Sequence, residues 1–164
     1  MSSSRGHLDV ADVYRRHGRM VLRRARLLLG DDEEAREALQ ELFMSLVHDP
    51  GRFRGESSIV TFLYRATTNM CLNRLRDRRN RARLLGERVS PVSAWTSAPT
   101  AVLASQAQEL LARLPDELAR VVVYAFIDEM TQEEIADVMQ CSRKHVGHLI
   151  GRARKLVDPE EQCA

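Results

Sequence analysis

Apolar residues recur along this chain at the three- and four-residue steps of an α-helix, with polar residues filling the positions between. From Val10 to Leu29, the residues Val10, Val13, Tyr14, Val21, Ala25 and Leu28 keep largely to one face, and Gly30 follows as a stop. That predicts a first helix. Asp31, Asp32, Glu33 and Glu34 then gather where a helix N-terminus favours negative charge, ahead of Ala35, Ala38, Leu39, Leu42, Phe43 and Leu46. This second helix is expected to end near Asp49, Pro50 and Gly51. After a loop from Arg52 to Ser57, Ser58 suits an N-cap, and Ile59, Phe62, Leu63, Ala66 and Met70 form the buried stripe of a third helix that runs into a cluster of arginines.

The period disappears between about Leu85 and Ala101, where Ser90-Pro91-Val92-Ser93-Ala94-Trp95-Thr96-Ser97-Ala98-Pro99-Thr100 predicts a linker. Ala107, Leu110, Leu111 and Leu114 mark a short helix beyond it. Pro115 suits the first turn of another that carries Leu118, Val121, Val122, Ala125 and Phe126. Thr131-Gln132-Glu133-Glu134 has the form of a capping box and opens a helix with Ile135, Ala136, Val138 and Met139. Gln140 and Cys141 make a tight connection to Ser142, a second N-cap introducing Arg143 to Val157. Two capped helices across so short a turn predict a helix-turn-helix. The fold class is therefore all-α: two small helical modules, 1–84 and 104–164, joined by a flexible linker over 85–103. Each module is small for a self-sufficient core, so a stabilising partner is expected.

Composition sharpens the picture in three respects. An aromatic share of 5% is thin for a β-rich core, which favours the helical reading. No apolar run approaches the roughly 20 residues that span a bilayer, and Met1 to Arg5 lack the apolar stretch of a signal peptide, so a cytoplasmic protein without membrane insertion is expected. The net charge of +2 conceals a local excess: Arg74, Arg76, Arg78, Arg79, Arg81, Arg83 and Arg88 crowd one segment against Asp77 and Glu87. Cys71, Cys141 and Cys163 lack the spacing of a zinc module and are read as reduced thiols. Cys141, His145 and His148 lie at steps of four and three, but three ligands with no second pair elsewhere do not make a metal site. Neither a Gly-rich phosphate loop nor a catalytic triad pattern is present, so no cofactor, no metal and no enzymatic activity are expected.

Two surfaces carry candidate chemistry. On the last helix Val146, Leu149, Ile150, Ala153 and Val157 share one stripe, leaving Lys144, His148, Arg152 and Lys155 on another that suits a DNA major groove. On the third helix Arg65, Asn69, Asn73 and Arg76 are spaced by four, four and three residues and form a polar ridge opposite the apolar stripe. Asparagine amides can hydrogen-bond an extruded base while arginines hold phosphates, which is how a single strand is read.

The segment Arg52-Phe53-Arg54-Gly55-Glu56-Ser57-Ser58, then Thr61-Phe62-Leu63-Tyr64-Arg65-Ala66 with Asn69, and Asn73-Arg74-Leu75-Arg76, closely resembles the second region of extracytoplasmic-function sigma factors. Gln40-Glu41-Leu42-Phe43 resembles a signature of the same family, and Leu114-Pro115 with Thr131-Gln132-Glu133-Glu134-Ile135-Ala136 resembles its fourth region. The resemblance covers nearly the whole chain. It implies a region-2 three-helix-type bundle, a region-4 helix-turn-helix, and an alternative-sigma initiation factor that directs core RNA polymerase to promoters. It implies that Glu37, Gln40, Glu41 and Phe43 dock on the polymerase. It implies further that Phe53, Arg54, Gly55, Glu56, Ser57, Ser58, Arg65, Asn69, Asn73 and Arg76 read a melted minus-ten element. The upstream minus-thirty-five duplex falls to Arg143, Lys144, Gly147, His148, Gly151, Arg152 and Lys155. An anti-sigma factor is expected as a partner because the family commonly has one.

Gly147 and Leu149 depart from the family, which often has basic residues there. Glycine inside a helix costs roughly 1 kcal/mol relative to alanine, so Gly147 and Gly151 suggest close approach of the backbone to DNA, against the alternative that other interactions of the helix offset them. A second function reading is a sigma-like protein that binds polymerase or a regulator with weak upstream recognition. A third, a free-standing helix-turn-helix repressor, leaves the first module unexplained.

Overall fold

The computed structural model describes residues 8–86 and 98–157, with backbone alone for 98–103. No strand occurs among the described residues. Three helices, α1 (Val10–Leu29), α2 (Asp32–His48) and α3 (Ile59–Leu85), pack on one another, and a 3-10 turn at Pro50–Arg52 begins the loop between α2 and α3. Four more follow: α4 (Ala98–Arg113), α5 (Asp116–Val122), α6 (Gln132–Met139) and α7 (Arg143–Val157). A π-helical turn, Val123–Ile127, continues α5.

The starts of the helices are set by local side-chain chemistry that satisfies backbone N–H groups left over in the first turn. Asp9 caps α1 through Asp12 N at 3.0 Å, Asp31 caps α2 through Glu34 N at 2.7 Å, and Ser58 caps α3 through Thr61 N at 3.0 Å. At α6 the capping box is complete: Thr131 Oγ1 accepts from Glu134 N at 3.3 Å, and Glu134 Oε2 accepts from Thr131 N at 2.7 Å. That backbone bond holds the Glu134 carboxyl below its ordinary value, so its share of stability is present at neutral pH and is lost as pH falls through the lowered value. Thr131→Ala is expected to cost about 1 kcal/mol in urea unfolding with an unchanged denaturant slope.

α4 begins at Ala98, inside the 85–103 stretch whose sequence predicts a linker, and α3 extends to Leu85. The remainder of that stretch, 87–97 with Arg88, lies outside the described residues, as do 1–7 and 158–164 with Cys163. Asp116, rather than Pro115, is the first residue of α5, with Pro115 as its N-cap.

Two clusters of buried side chains make the core. One lies within the first three helices and contains Val13, Val21, Leu39, Leu42, Phe43, Leu46 and Leu63. The other joins both modules: Ala25, Leu28, Leu72 and Leu75 from the first meet Leu111, Leu118, Val121 and Tyr124 from the second. Sequence pattern left the relative packing of the modules open. In the folded chain they share one apolar interior.

Candidate nucleic-acid interface

The ridge expected on α3 forms, because Leu63, Cys71, Leu72 and Leu75 turn inward and leave the intervening polar residues outward. Burial pushes the Cys71 thiol up to about 12, so it remains a protonated core residue. Arg65 and Asn69 are half-buried and Asn73 is exposed. They line a groove of about 910 Å³, together with Arg52 and Arg54 from the loop and Arg81 further along α3. Charge in the groove is mixed, since Asp49 and Asp77 also reach its surface.

The loop expected to share in reading the melted element encloses a smaller pocket of about 180 Å³, lined by Phe53, Arg54, Glu56 and Ser57 with Phe62 and Arg65 of α3. Phe53 is anchored edge-on against Phe62, with ring centroids 5.4 Å apart, within the range such pairs prefer. Gly55 has a φ of +73°, in the left-handed region, so a side chain there would be strained even though space is open around it. Ser58 is committed to capping α3, and its hydroxyl also lies 2.9 Å from Thr61 Oγ1.

Arg52 and Arg81 join the groove although the sequence marks Arg81 only as part of the arginine cluster and Arg52 only as the start of the loop segment. Arg81 continues the four-residue step through 65, 69, 73 and 77, which is the signal that finds it. Like Glu41, Arg74 lines the α2 side of the same groove. It donates to Glu37 at 3.2 Å and Glu41 at 2.7 Å, and although burial works against its charge, those two bonds hold its pKa above the ordinary arginine value. Arg74 therefore ties α3 to α2 and orients two carboxylates that remain more than half exposed.

Of the four residues on α2 expected to dock a partner, Glu37, Gln40 and Glu41 are exposed. Phe43 is corrected: it is 5% exposed, packed edge-on against Tyr14 with centroids 5.0 Å apart, so it supports the helix from below and offers no contact surface.

At the other end, α7 divides as its sequence predicts. Val146, Leu149 and Ala153 are buried, while Arg143, Lys144, His148, Arg152 and Lys155 are exposed. Ser142 Oγ accepts from His145 N at 3.2 Å and so caps α7, directly after a connection in which Gln140 takes a φ of +55°. Arg143 is paired with Glu133 at 2.9 Å. Gly151 has open space beside it, and a Cβ on Gly147 would meet only the side chain of Gln132 at 3.5 Å, an ordinary contact. Nothing inside the chain demands glycine at either place. Among the described residues no group of His, Cys, Asp or Glu is arranged to hold a metal ion, and no helix is long and apolar enough to cross a membrane.

Two family models match, Sigma-70 region 2 over residues 13–81 and Sigma-70 region 4 over residues 104–157. The chain is 31% identical over 142 residues to the ECF RNA polymerase sigma factor SigM of Mycobacterium tuberculosis, covering 87% of this chain and 71% of the relative. It is 28% identical over 144 residues to the RNA polymerase sigma-H factor of Pseudomonas aeruginosa, covering 78% and 73%. Its fold is similar to that of CnrH solved in complex with the cytosolic domain of CnrY, with a TM-score of 0.54, 22% identity and coverage of 94% and 89%. It is also similar to the sigma factor RpoE solved in complex with the anti-sigma factor NepR from Bartonella quintana, with a TM-score of 0.57, 14% identity and coverage of 94% and 98%. A region-2 bundle bearing a basic, amide-rich groove, joined to a region-4 helix-turn-helix, makes this chain a member of the extracytoplasmic-function sigma factors, alternative sigma factors that direct RNA polymerase to initiate transcription.

Proposed function

We propose a division of labour among three surfaces of this sigma factor. Core RNA polymerase is bound by the outer face of α2, where Glu37, Gln40 and Glu41 are exposed and two of the three are oriented by Arg74, an acidic surface suited to a basic partner. The melted minus-ten strand lies along α3, with Arg65, Asn69 and Asn73 in the groove, Arg76 on the adjoining flank of the ridge, and one base in the pocket lined by Phe53, Arg54, Glu56 and Ser57, whose loop turns at Gly55. Ser58 contributes as the cap that fixes the pocket to α3. The minus-thirty-five duplex is met by the outward face of α7, through Arg143, Lys144, His148, Arg152 and Lys155, with Gly147 and Gly151 allowing close approach.

The observation that carries this reading is the α3 groove itself. It combines amides that can read base edges with arginines that can hold phosphates, on one rigid helix. The modules 1–84 and 104–164, with 85–103 between them, correspond to the two DNA-reading units. The chain works in the cytoplasm, where the polymerase is, and is not an enzyme, since phosphodiester chemistry belongs to the polymerase. An anti-sigma factor is a further partner, as the similar sigma factor RpoE is bound by the anti-sigma factor NepR.

Transcription reconstituted with core polymerase on a promoter library tests the reading: specific transcripts should require both components. Asn69→Ala is expected to lower open-complex formation roughly tenfold, within the 1–3 kcal/mol that a base contact supplies, while affinity for core polymerase is unchanged. Equal loss of both would refute the assignment of Asn69. A sigma-like protein with weak upstream recognition, the second reading, draws on Gly147 and predicts core binding without specific transcripts.

A further inference from the structure

Three carboxylates line the α3 groove, Glu41, Asp49 and Asp77, and two of them are engaged inside the chain. Glu41 accepts from Arg74 Nη2 at 2.7 Å, and Asp49 Oδ1 accepts from Gly51 N at 3.1 Å at the turn that follows α2. Asp77 is exposed, and among the described residues it makes neither an ion pair nor a side-chain hydrogen bond. The cations beside it in sequence are directed elsewhere: Arg76 pairs with Asp116, and Arg78 lies 3.7 Å from Glu34 and donates to Gln108 at 2.8 Å. Its oxygens are therefore available to whatever occupies the groove.

A carboxylate in that place opposes a polyanion. Arg52, Arg54, Arg65 and Arg81 line the same groove and attract phosphates, whereas Asp77 repels them and weakens binding to every strand alike unless it gains a bond in the complex. A group that penalises all ligands except those with a matching donor is a means of discrimination. Position supports this role. Asn69, Asn73 and Asp77 stand four residues apart, a rise of about 6 Å per step, so the carboxylate continues the row of amides by one place.

The chemistry of the bases decides what such a group selects. An ionised aspartate is an acceptor only, with two oxygens side by side. In a melted strand the Watson–Crick edges are unpaired and open to side chains. Guanine presents two adjacent donors on that edge, the N1 hydrogen and the N2 amine, which match both oxygens of a carboxylate in a bidentate, charge-assisted pair. Adenine and cytosine each present one amine beside a ring nitrogen that accepts, and thymine presents one N–H between two carbonyls. Against those three, one oxygen of the carboxylate meets a lone pair. An asparagine amide, with one donor and one acceptor, has the complementary preference for adenine or cytosine.

We propose that Asp77 is a specificity-determining residue that selects guanine in the melted strand, at the place next to the base read by Asn73, by accepting from N1 and the N2 amine. The inference rests on the assignment of the α3 ridge to that strand. Asp77 lowers the affinity of the groove for strands in general and returns part of it to those with guanine at this place.

Holoenzyme assembled from core polymerase and the full chain opens templates from a promoter library randomised over the melted segment, and the opened templates are sequenced. Wild type is compared with Asp77→Ala, Asp77→Asn and Asn69→Ala; Asp77 is exposed, so its variants keep the fold. Wild type should enrich guanine at one position on the order of tenfold, the discrimination of a bidentate base contact. Asp77→Ala should level that position and spare the others, and Asp77→Asn should move it toward adenine or cytosine. Inosine at that position, which lacks the N2 amine, should lower opening by wild type and leave opening by Asp77→Ala unchanged. The proposal is overturned if wild type enriches guanine nowhere, or if Asp77→Ala opens all templates more readily with base preferences intact, which makes Asp77 a solvated charge. Asn69→Ala separates the two ideas. If it alters preference at its own position while the Asp77 variants alter none, the ridge stands and guanine selection falls. If no variant alters any preference, the ridge assignment falls and guanine selection with it.

Discussion

Replacement of Phe43 by alanine is expected to lower the stability of the chain by about 3–5 kcal/mol, with loss of promoter activity that follows from unfolding rather than from a lost contact. The ring is 5% exposed and lies in the cluster of Val13, Leu39, Leu42, Leu46 and Leu63, edge-on to Tyr14. Removing it deletes the transfer free energy of an aromatic side chain and leaves a cavity that three helices cannot close, since each is held by its own cap. Urea unfolding should show a lower midpoint. Gln40→Ala, three residues earlier on the exposed face, should leave that midpoint within about 0.5 kcal/mol and weaken core polymerase binding instead. A Phe43→Ala protein of wild-type stability that failed to bind polymerase would restore Phe43 to the contact surface.

The contrast between Phe43 and Gln40 shows what the sequence made legible. Helix positions were readable because caps and stripes are local: Asp31, Ser58, Thr131 and Ser142 each act within three residues of themselves. The ridge of Arg65, Asn69 and Asn73 followed from the same period. A family signature, however, marks residues kept for packing and residues kept for contact alike, so Phe43, which the apolar stripe of α2 already turned inward, was also read with its exposed neighbours. The π-helical turn at Val123–Ile127 leaves no periodic signal, because five residues are too few to shift an apolar stripe.

Arg24 was the larger omission. It falls between Val21, Ala25 and Leu28 on the apolar face of α1, and a charge on a buried stripe signals a buried partner. Its partner, Asp128, lies in the other module, and pairing at such separation is set by tertiary packing rather than by local pattern. The joined core of Leu28, Leu75, Leu118 and Val121 was hidden for the same reason. Each helix declares which face is apolar, but not which other helix will cover it.

Leu149→Lys is expected to destabilise the second module by at least about 4 kcal/mol, although it would place a basic residue where the family often has one. Leu149 is 1% exposed, packed with Val146 and Ala153 on the inner face of α7, so an ammonium introduced there loses its hydration without gaining a duplex. Burial depresses the folded-state pKa of such an amine, so the unfolded chain binds more protons and stability should rise with pH toward the ordinary lysine value near 10.4. Gly147→Lys is the opposite case. Its Cβ meets only Gln132 at ordinary contact distance, and replacing a mid-helix glycine should raise stability by about 0.5–1 kcal/mol. If Gly147 serves close approach to DNA, the more stable variant should bind upstream duplex less tightly and choose promoters differently. Unchanged affinity and promoter choice would leave the glycine as a tolerated helix weakness and return upstream recognition to Lys144, His148 and Arg152 alone. Thermal melting of the two variants between neutral pH and about pH 10, beside duplex binding for Gly147→Lys, separates a residue that faces the core from one that faces the promoter.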